Sequence, residues 1–228
     1  MQRLNVVISG FDHYDGVDVN PAAEVPRALA EQGIGAPADS ADALNDVSLS
    51  ITTVALPVSF ANAWPTLKRT IEAVRPNIVI ATGLKHAARG IAMERCATNL
   101  MDAARPDVDN ALPRSTPIIP DGPAAYWTRL PLRAIINDFA HDGIPATLSS
   151  DAGTFVCNSL FYHLLNWASD QSRVLAGFVS FPLVCEGDVD PMRRHGLPLD
   201  QQIHAGRDVV RETVRYYMQP SSSDILLA

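Results

Sequence analysis

The sequence predicts an α/β protein, with a mostly parallel sheet covered by helices on both faces. Three observations lead there. Short apolar or β-branched runs alternate along the chain with segments of helical periodicity. Apolar residues make up 47% of the chain and charged residues 19%, a globular composition. At about 100–200 residues per domain, the 228 residues fit one domain, placed at 1–218. The tail Gln219–Ala228 (QPSSSDILLA) reads as a frayed, disordered end.

Leu4–Ser9 reads as a buried strand. Pro21–Gln32 reads as a helix with Asn20 as N-cap and Pro21 at N1, where a missing N–H costs nothing. Gly33–Asp46 is small, polar and Pro-containing, a surface loop. Val47–Leu56 (VSLSITTVAL) is β-branched with partial alternation, which predicts an antiparallel strand near an edge. Phe60, Trp64, Leu67, Ile71 and Val74 mark one helical face, with Pro65 at the helix start or at a kink. Ile78–Thr82 (IVIAT) is a continuous apolar strand. Ala124–His141 contains a helix starting no earlier than about Pro131. Ala146–Ser149 is a short strand, Phe155–Ala168 a helix and Val174–Leu183 a strand. Gln201–Tyr217 is amphipathic, with Ile203, Val210, Val214 and Tyr217 on one face.

Composition also excludes function classes. Lys and Arg number 18 against 25 Asp and Glu, a net charge of −7, and no basic block is present, so no nucleic-acid partner is expected. Three widely spaced cysteines (Cys96, Cys157, Cys185) form neither a disulfide framework nor a CxxC zinc motif. The apolar run at the N-terminus is too short for a signal peptide, and no stretch reaches the ~18 apolar residues of a membrane span. The expectation is a soluble cytoplasmic protein with no membrane contact.

Functional groups in such sheets gather at the carboxyl ends of strands. Cys157 sits there, in SSDAGTFVCNSLFYHLL, in the first turn of a helix that follows a strand and a Gly-containing turn. Unpaired N–H groups and the helix dipole at that position favour a thiolate and predict a lowered thiol pKa. The bland alternative is a small buried core residue. Glu94, in GLKHAARGIAMERCATNL, is placed at the same sheet edge, where it could orient a base or an imidazolium, or simply pair with Arg89 or Arg95. The loop Ser9–Asn20, with Phe11, Tyr14 and Gly16, could wall a small-ligand site, and it lacks the spacing of a phosphate cradle. Among the histidines, His163 faces away from Cys157 on their common helix, His141 and His204 read as surface residues, and His86 falls on the functional edge. No His pair has the i, i+4 spacing of a helical zinc site, so no metal is expected.

Taken together, these blocks resemble the pyroglutamyl peptidase I family of cysteine peptidases. The family's opening TGFEPFGG…NP is similar to SGFDHYDG…NP at Ser9–Pro21. Its ERxAxN and DARxPDN block resembles MERCATNLMDAARPDVDN, SAGxxxCN resembles DAGTFVCN at Asp151–Asn158, and GFxHxP resembles GFVSFP at Gly177–Pro182. The resemblance runs from about residue 5 to residue 217. It implies a three-layer α/β/α sandwich with a mixed, mostly parallel sheet, removal of N-terminal L-pyroglutamyl residues from peptides, no metal or cofactor, and a homodimer or homotetramer. It carries the nucleophile to Cys157 and the triad acid to Glu94. Phe11, Tyr14 and Asn20 would line or buttress the lactam pocket.

The departures cluster at the same place. The family's catalytic His falls on Ser180, and a serine hydroxyl is no base near neutral pH. The family's Arg in the Gly-rich turn falls on Ala88, with Arg89 next to it as a substrate-binding candidate. Pro-Phe of the opening is His13-Tyr14, and PDN has gained Val108 and Asp109. His86 is the candidate substitute for the missing imidazole, with His13 second. Two functions are therefore expected to compete: a pyroglutamyl peptidase of impaired or altered activity, and an inactive homologue that binds a small ligand or a protein partner. A zinc hydrolase has only scattered histidines behind it.

Overall fold

A computed structural model describes residues 1–12, 16–35, 42–185 and 196–225. Its first strand, β1 (Gln2–Phe11), leads into helix α1 (Pro21–Gln32). Asn20 caps that helix by accepting from the Ala22 N–H, and Gly33 closes it at φ 68°, a conformation that favours glycine. A 3₁₀ turn, Ala43–Asp46, precedes β2 (Val47–Leu56), so the loop expected over Gly33–Asp46 ends in a short helix capped by Asp42. Residues 36–41 of that loop lie outside the described residues.

Helix α2 (Ala63–Val74) carries Pro65 in its first turn, where the backbone N–H would have no intrahelical partner. Next come β3 (Ile78–Leu84), β4 (Ile91–Glu94), β5 (Cys96–Thr98), β6 (Ala125–Trp127), α3 (Leu132–His141), β7 (Ala146–Ser149), α4 (Val156–Ser169), β8 (Leu175–Phe181) and α5 (Leu199–Met218).

Six of these strands form one sheet in the order β2-β1-β3-β8-β4-β7. β2, β1, β3 and β8 run parallel, β4 is antiparallel to β8, and β7 is parallel to β4. The mixed, mostly parallel sheet is as the family resemblance implied. One detail differs: β2 is an edge strand but is parallel to β1, not antiparallel. Helix α1 crosses between them, and a crossover connection returns the chain in the same direction.

Side chains alternate across the sheet. On one face, Leu4, Val6, Ile8, Ile78, Ile80, Val179 and Phe181 pack against Val25 and Leu29 of α1, Ile135 and Phe139 of α3, and Val209, Val210 and Val214 of α5. On the other, Val7, Val79, Ala81 and Phe178 pack against Leu67 and Ile71 of α2 and Leu160, Phe161 and Leu164 of α4. This is the three-layer sandwich. The tail is tied down at least as far as Asp224, whose carbonyl accepts from the Arg133 and Ala134 N–H groups at the start of α3.

Candidate active site

The strand period assembles the site. Val79 and Ala81 face the α2/α4 layer, so Gly83 and Lys85 continue that row on β3 and just past its end. Phe178 faces the same layer, and Ser180 follows it two residues on. Met93 belongs to the opposite core, which turns Glu94 toward this face. Register then brings the three strands level: Gly83 and Ala92 both pair with Ser180, and Glu94 pairs with Phe178. Because β4 runs against β8, Glu94 lies two positions in from Ser180, inside the sheet and fully buried.

Above this row stands the N-terminus of α4. Cys157 is its second residue, as expected from the sequence. The sulfur rests over Gly83: a Cβ built there would lie 3.0 Å from Cys157 Sγ and 2.8 Å from Phe178 Cζ. Glycine at 83 is what lets the thiol approach the sheet. Asn158 fixes the helix in place, accepting from the Thr98 N–H at 3.0 Å and donating to the Thr98 and Leu100 carbonyls at 2.9 and 3.0 Å.

Beneath the thiol lies a polar network. Ser180 Oγ donates to Glu94 Oε1 at 2.7 Å, and Lys85 Nζ donates to the same oxygen at 3.1 Å. Lys85 also donates to Ser149 Oγ at 3.0 Å and to the Asp151 carbonyl at 2.6 Å, so its ammonium is held by three acceptors. Glu94 Oε2 is buried without a hydrogen-bond partner. Glu94 thus pairs with Lys85, not with Arg89 or Arg95 as its neighbours in sequence suggested. Arg95 turns instead to Ser150 Oγ and lies over the Trp127 ring.

The thiol does not have the lowered pKa that its place on the helix predicted. Burial, followed by the negative charge of Glu94, pushes Cys157 up to about 12, against the smaller opposing pull of its own backbone N–H and of Lys85. The magnitudes explain the sign. A helix N-terminus contributes about 0.3–1 kcal/mol, less than one pKa unit, whereas desolvation moves a group by up to about 3–5 units as burial becomes complete.

The remaining candidates are placed as follows. Phe11, the last residue of β1, is buried in the core on the α4 side. Asn20 spends its side chain on structure, accepting from Ala22 N and donating to the Phe11 carbonyl at 2.8 Å, so it buttresses the loop rather than facing a ligand. His86 and Arg89 are exposed on the turn between β3 and β4. Tyr14 and His13 lie outside the described residues. His163 faces away from the thiol, as expected, and stacks on Trp64 of α2 with ring centroids 5.9 Å apart. The inserted Asp109 accepts from Ser59 Oγ at 2.5 Å and Asn62 Nδ2 at 2.9 Å, which docks its loop on the start of α2.

Sequence reasoning missed Lys85 and Gly83. Lys85 stood in the quoted GLKHAARG block, and its two-residue offset from Gly83 on an apolar strand was the available signal.

Known proteins agree with this architecture. The pyroglutamyl peptidase family model matches residues 4–216. A pyrrolidone-carboxylate peptidase of Bacillus subtilis is 36% identical over 215 residues, covering 94% of each chain. The crystal structure of pyroglutamyl peptidase I from Bacillus amyloliquefaciens superposes with a TM-score of 0.80 at 30% identity, over 94% of this chain and 98% of that one. The pyrrolidone carboxyl peptidase of Thermococcus litoralis gives 0.82 at 30% identity over 99% of each. A match that spans the strands, the thiol-bearing helix and the buried glutamate leaves one assignment: this chain belongs to the pyroglutamyl peptidase family.

Proposed function

We propose that the protein is a cysteine peptidase that removes N-terminal pyroglutamyl residues from peptides, with Cys157 as nucleophile and reduced efficiency at neutral pH. The observation that carries the reading is the seating of the Cys157 thiol on Gly83, above the Glu94–Ser180 hydrogen bond and at the mouth of α4. The thiolate attacks the carbonyl carbon that joins the lactam to the next residue. A C–S bond forms, the carbonyl electrons move to oxygen, and N–H groups of the first turn of α4 face that oxygen. Collapse breaks the C–N bond and expels the amine, which is protonated by solvent water; a second water then attacks the thioester carbon, the C–S bond breaks, and the acid product leaves with the sulfur released as the thiolate. Phe11 backs the apolar side of the lactam site, braced by Asn20 at its carbonyl, and Arg89 and His86 stand exposed on the turn after β3; Tyr14 is a candidate wall residue on the sequence alone.

Ser180 stands where the family resemblance puts the catalytic His. Lys85, held by three acceptors, balances the charge of Glu94 rather than taking the thiol proton. Loss of a general base costs about 10²–10⁴-fold in rate. His86 is the candidate replacement base.

A second reading, retained binding with lost chemistry, is favoured by one observation: Glu94 Oε1 accepts from Ser180 Oγ and Lys85 Nζ, and among the described residues no imidazole joins that network. Hydrolysis of an L-pyroglutamyl amide separates the two. Activity in the wild type that vanishes in Cys157→Ala supports the peptidase. Activity that appears only in Ser180→His supports the binding protein.

A further inference from the structure

On the sheet face opposite Cys157, α3 and α5 pack side by side. His204 and Asp208 are one turn apart on α5, and Asp142 ends α3 beside them. His204 Nε2 lies 2.7 Å from Asp142 Oδ2 and 3.5 Å from Asp208 Oδ2. One donor atom from each residue falls within 4.8 Å of the other two. No two histidines share a helical metal spacing, but His204 and Asp208 do, at i and i+4 on α5.

A His–Asp ion pair at a helix end needs no further explanation, but Asp208 does. Its side chain is 1% exposed, and its Oδ2, the atom turned toward His204, is buried with no hydrogen-bond partner among the described residues. Among those residues its other oxygen accepts from Arg211 Nη1 at 3.4 Å. Asp138 and Asp142 add negative charge from α3, while Arg211 and His204 are the cationic groups that act on Asp208. A buried carboxylate oxygen without a donor is costly, and a bound cation removes that cost.

We propose that Asp142, His204 and Asp208 form a binding site for a divalent transition-metal ion of the Zn²⁺ class. One imidazole and two carboxylates are three protein ligands, with the exposed sides of Asp142 and His204 leaving a position for water. Zn–N and Zn–O bonds of about 2.0–2.2 Å place two ligands of one ion no more than roughly 4.4 Å apart. The 2.7 and 3.5 Å separations fall inside that limit, and the exposed Asp142 side chain is free to adjust. Mg²⁺ and Ca²⁺ call for six or more oxygens, so they fit poorly. The ion would clip the end of α3 to the middle of α5, and it takes no part in chemistry at Cys157 across the sheet.

The test is calorimetric titration of the full chain with Zn²⁺ alone, for the wild type, His204→Ala and Asp142→Asn. Both substituted residues are exposed, and zinc bound by thiols is common to all three proteins and cancels in the comparison. The expected result is one saturable site in the wild type that is lost, or weakened at least tenfold, in both variants. The wild type should also show a Zn²⁺-dependent rise in thermal midpoint that Mg²⁺ does not reproduce and that His204→Ala lacks. Equal stoichiometry and affinity in the wild type and His204→Ala would overturn the proposal, as would a wild type that binds no zinc at all.

Discussion

Ser180 gives its hydroxyl hydrogen to Glu94 Oε1 at 2.7 Å. The resemblance read from the GFVSFP block implies an imidazole at this position, between carboxylate and thiol. Here the acid is connected to a hydroxyl and an ammonium, and the thiol above has no base in that network. Reactivity at Cys157 should therefore follow the pH of a half-buried thiol that lies near a carboxylate. Alkylation by a small neutral reagent should be slow at pH 7 and still rising above pH 10, because the group is pushed up to about 12. In Ser180→His, alkylation and amide hydrolysis at pH 7 should rise by about 10²-fold or more. A flat, fast profile in the wild type would contradict this.

Lys85 is the cation that makes a buried Glu94 tolerable. Removing one partner of a buried ion pair costs about 3–5 kcal/mol. Lys85 is 33% exposed, so Lys85→Met should fall below that range, at roughly 2–3 kcal/mol by urea denaturation. Lys85→Met combined with Glu94→Gln should recover most of the loss. If the double variant is as unstable as the sum of the single ones, the two residues are not coupled.

A methyl group at position 83 would meet the thiol and the Phe178 ring within 3.0 Å. Overpacking of a tight interior site costs about 1–3 kcal/mol. Gly83→Ala should show that loss together with a changed Cys157 alkylation rate, since the sulfur must move. Gly16→Ala, where a Cβ meets nothing but φ is +76°, serves as a control for backbone strain alone.

Far from the thiol, Arg215 of α5 donates to both carboxylate oxygens of Asp42, at 3.2 and 2.6 Å. That guanidinium holds the Asp42 carboxyl below its usual range. A carboxyl depressed in the folded state stabilises above its unfolded pKa and loses that contribution as pH falls through the folded value. Asp42→Asn should cost about 1–2 kcal/mol at pH 7, and the gap from wild type should close below about pH 4. A pH-independent difference would mean that the ion pair is not its source.

His163 has its pKa lowered by burial against Trp64. A half-buried imidazole held neutral opposes protonation, so folding should weaken as pH drops below about 6.5. His163→Gln should remove part of that acid sensitivity while leaving stability at pH 8 less affected. Thermal midpoints across pH 5–8 check it.

Local chemistry was legible in the chain itself. The Asn20–Pro21 start of α1, the Thr154–Cys157 entry to α4 and the buried face of α5 follow from capping, periodicity and turn residues, all of which act over a few neighbours. β4 was not visible as a strand: Ile91–Glu94 runs into Arg95–Thr98 with no Gly or Pro to mark its end, and pairing with β8 and β7 makes it one. The direction of β2 was misread because alternation reports a half-buried strand and says nothing about the neighbour it pairs with.

The sequence by itself determined the layered α/β architecture and the presence of a cysteine at a helix mouth, because periodicity and capping are short-range. The tertiary structure decided what surrounds that sulfur. Register between β3, β8 and β4 placed Gly83 beneath it and joined Glu94 to Ser180 and Lys85, and burial reversed the sign of its pKa shift. Electrostatics in a dry interior depends on which charges arrive from distant strands and on how much water they exclude, and both are properties of the folded chain.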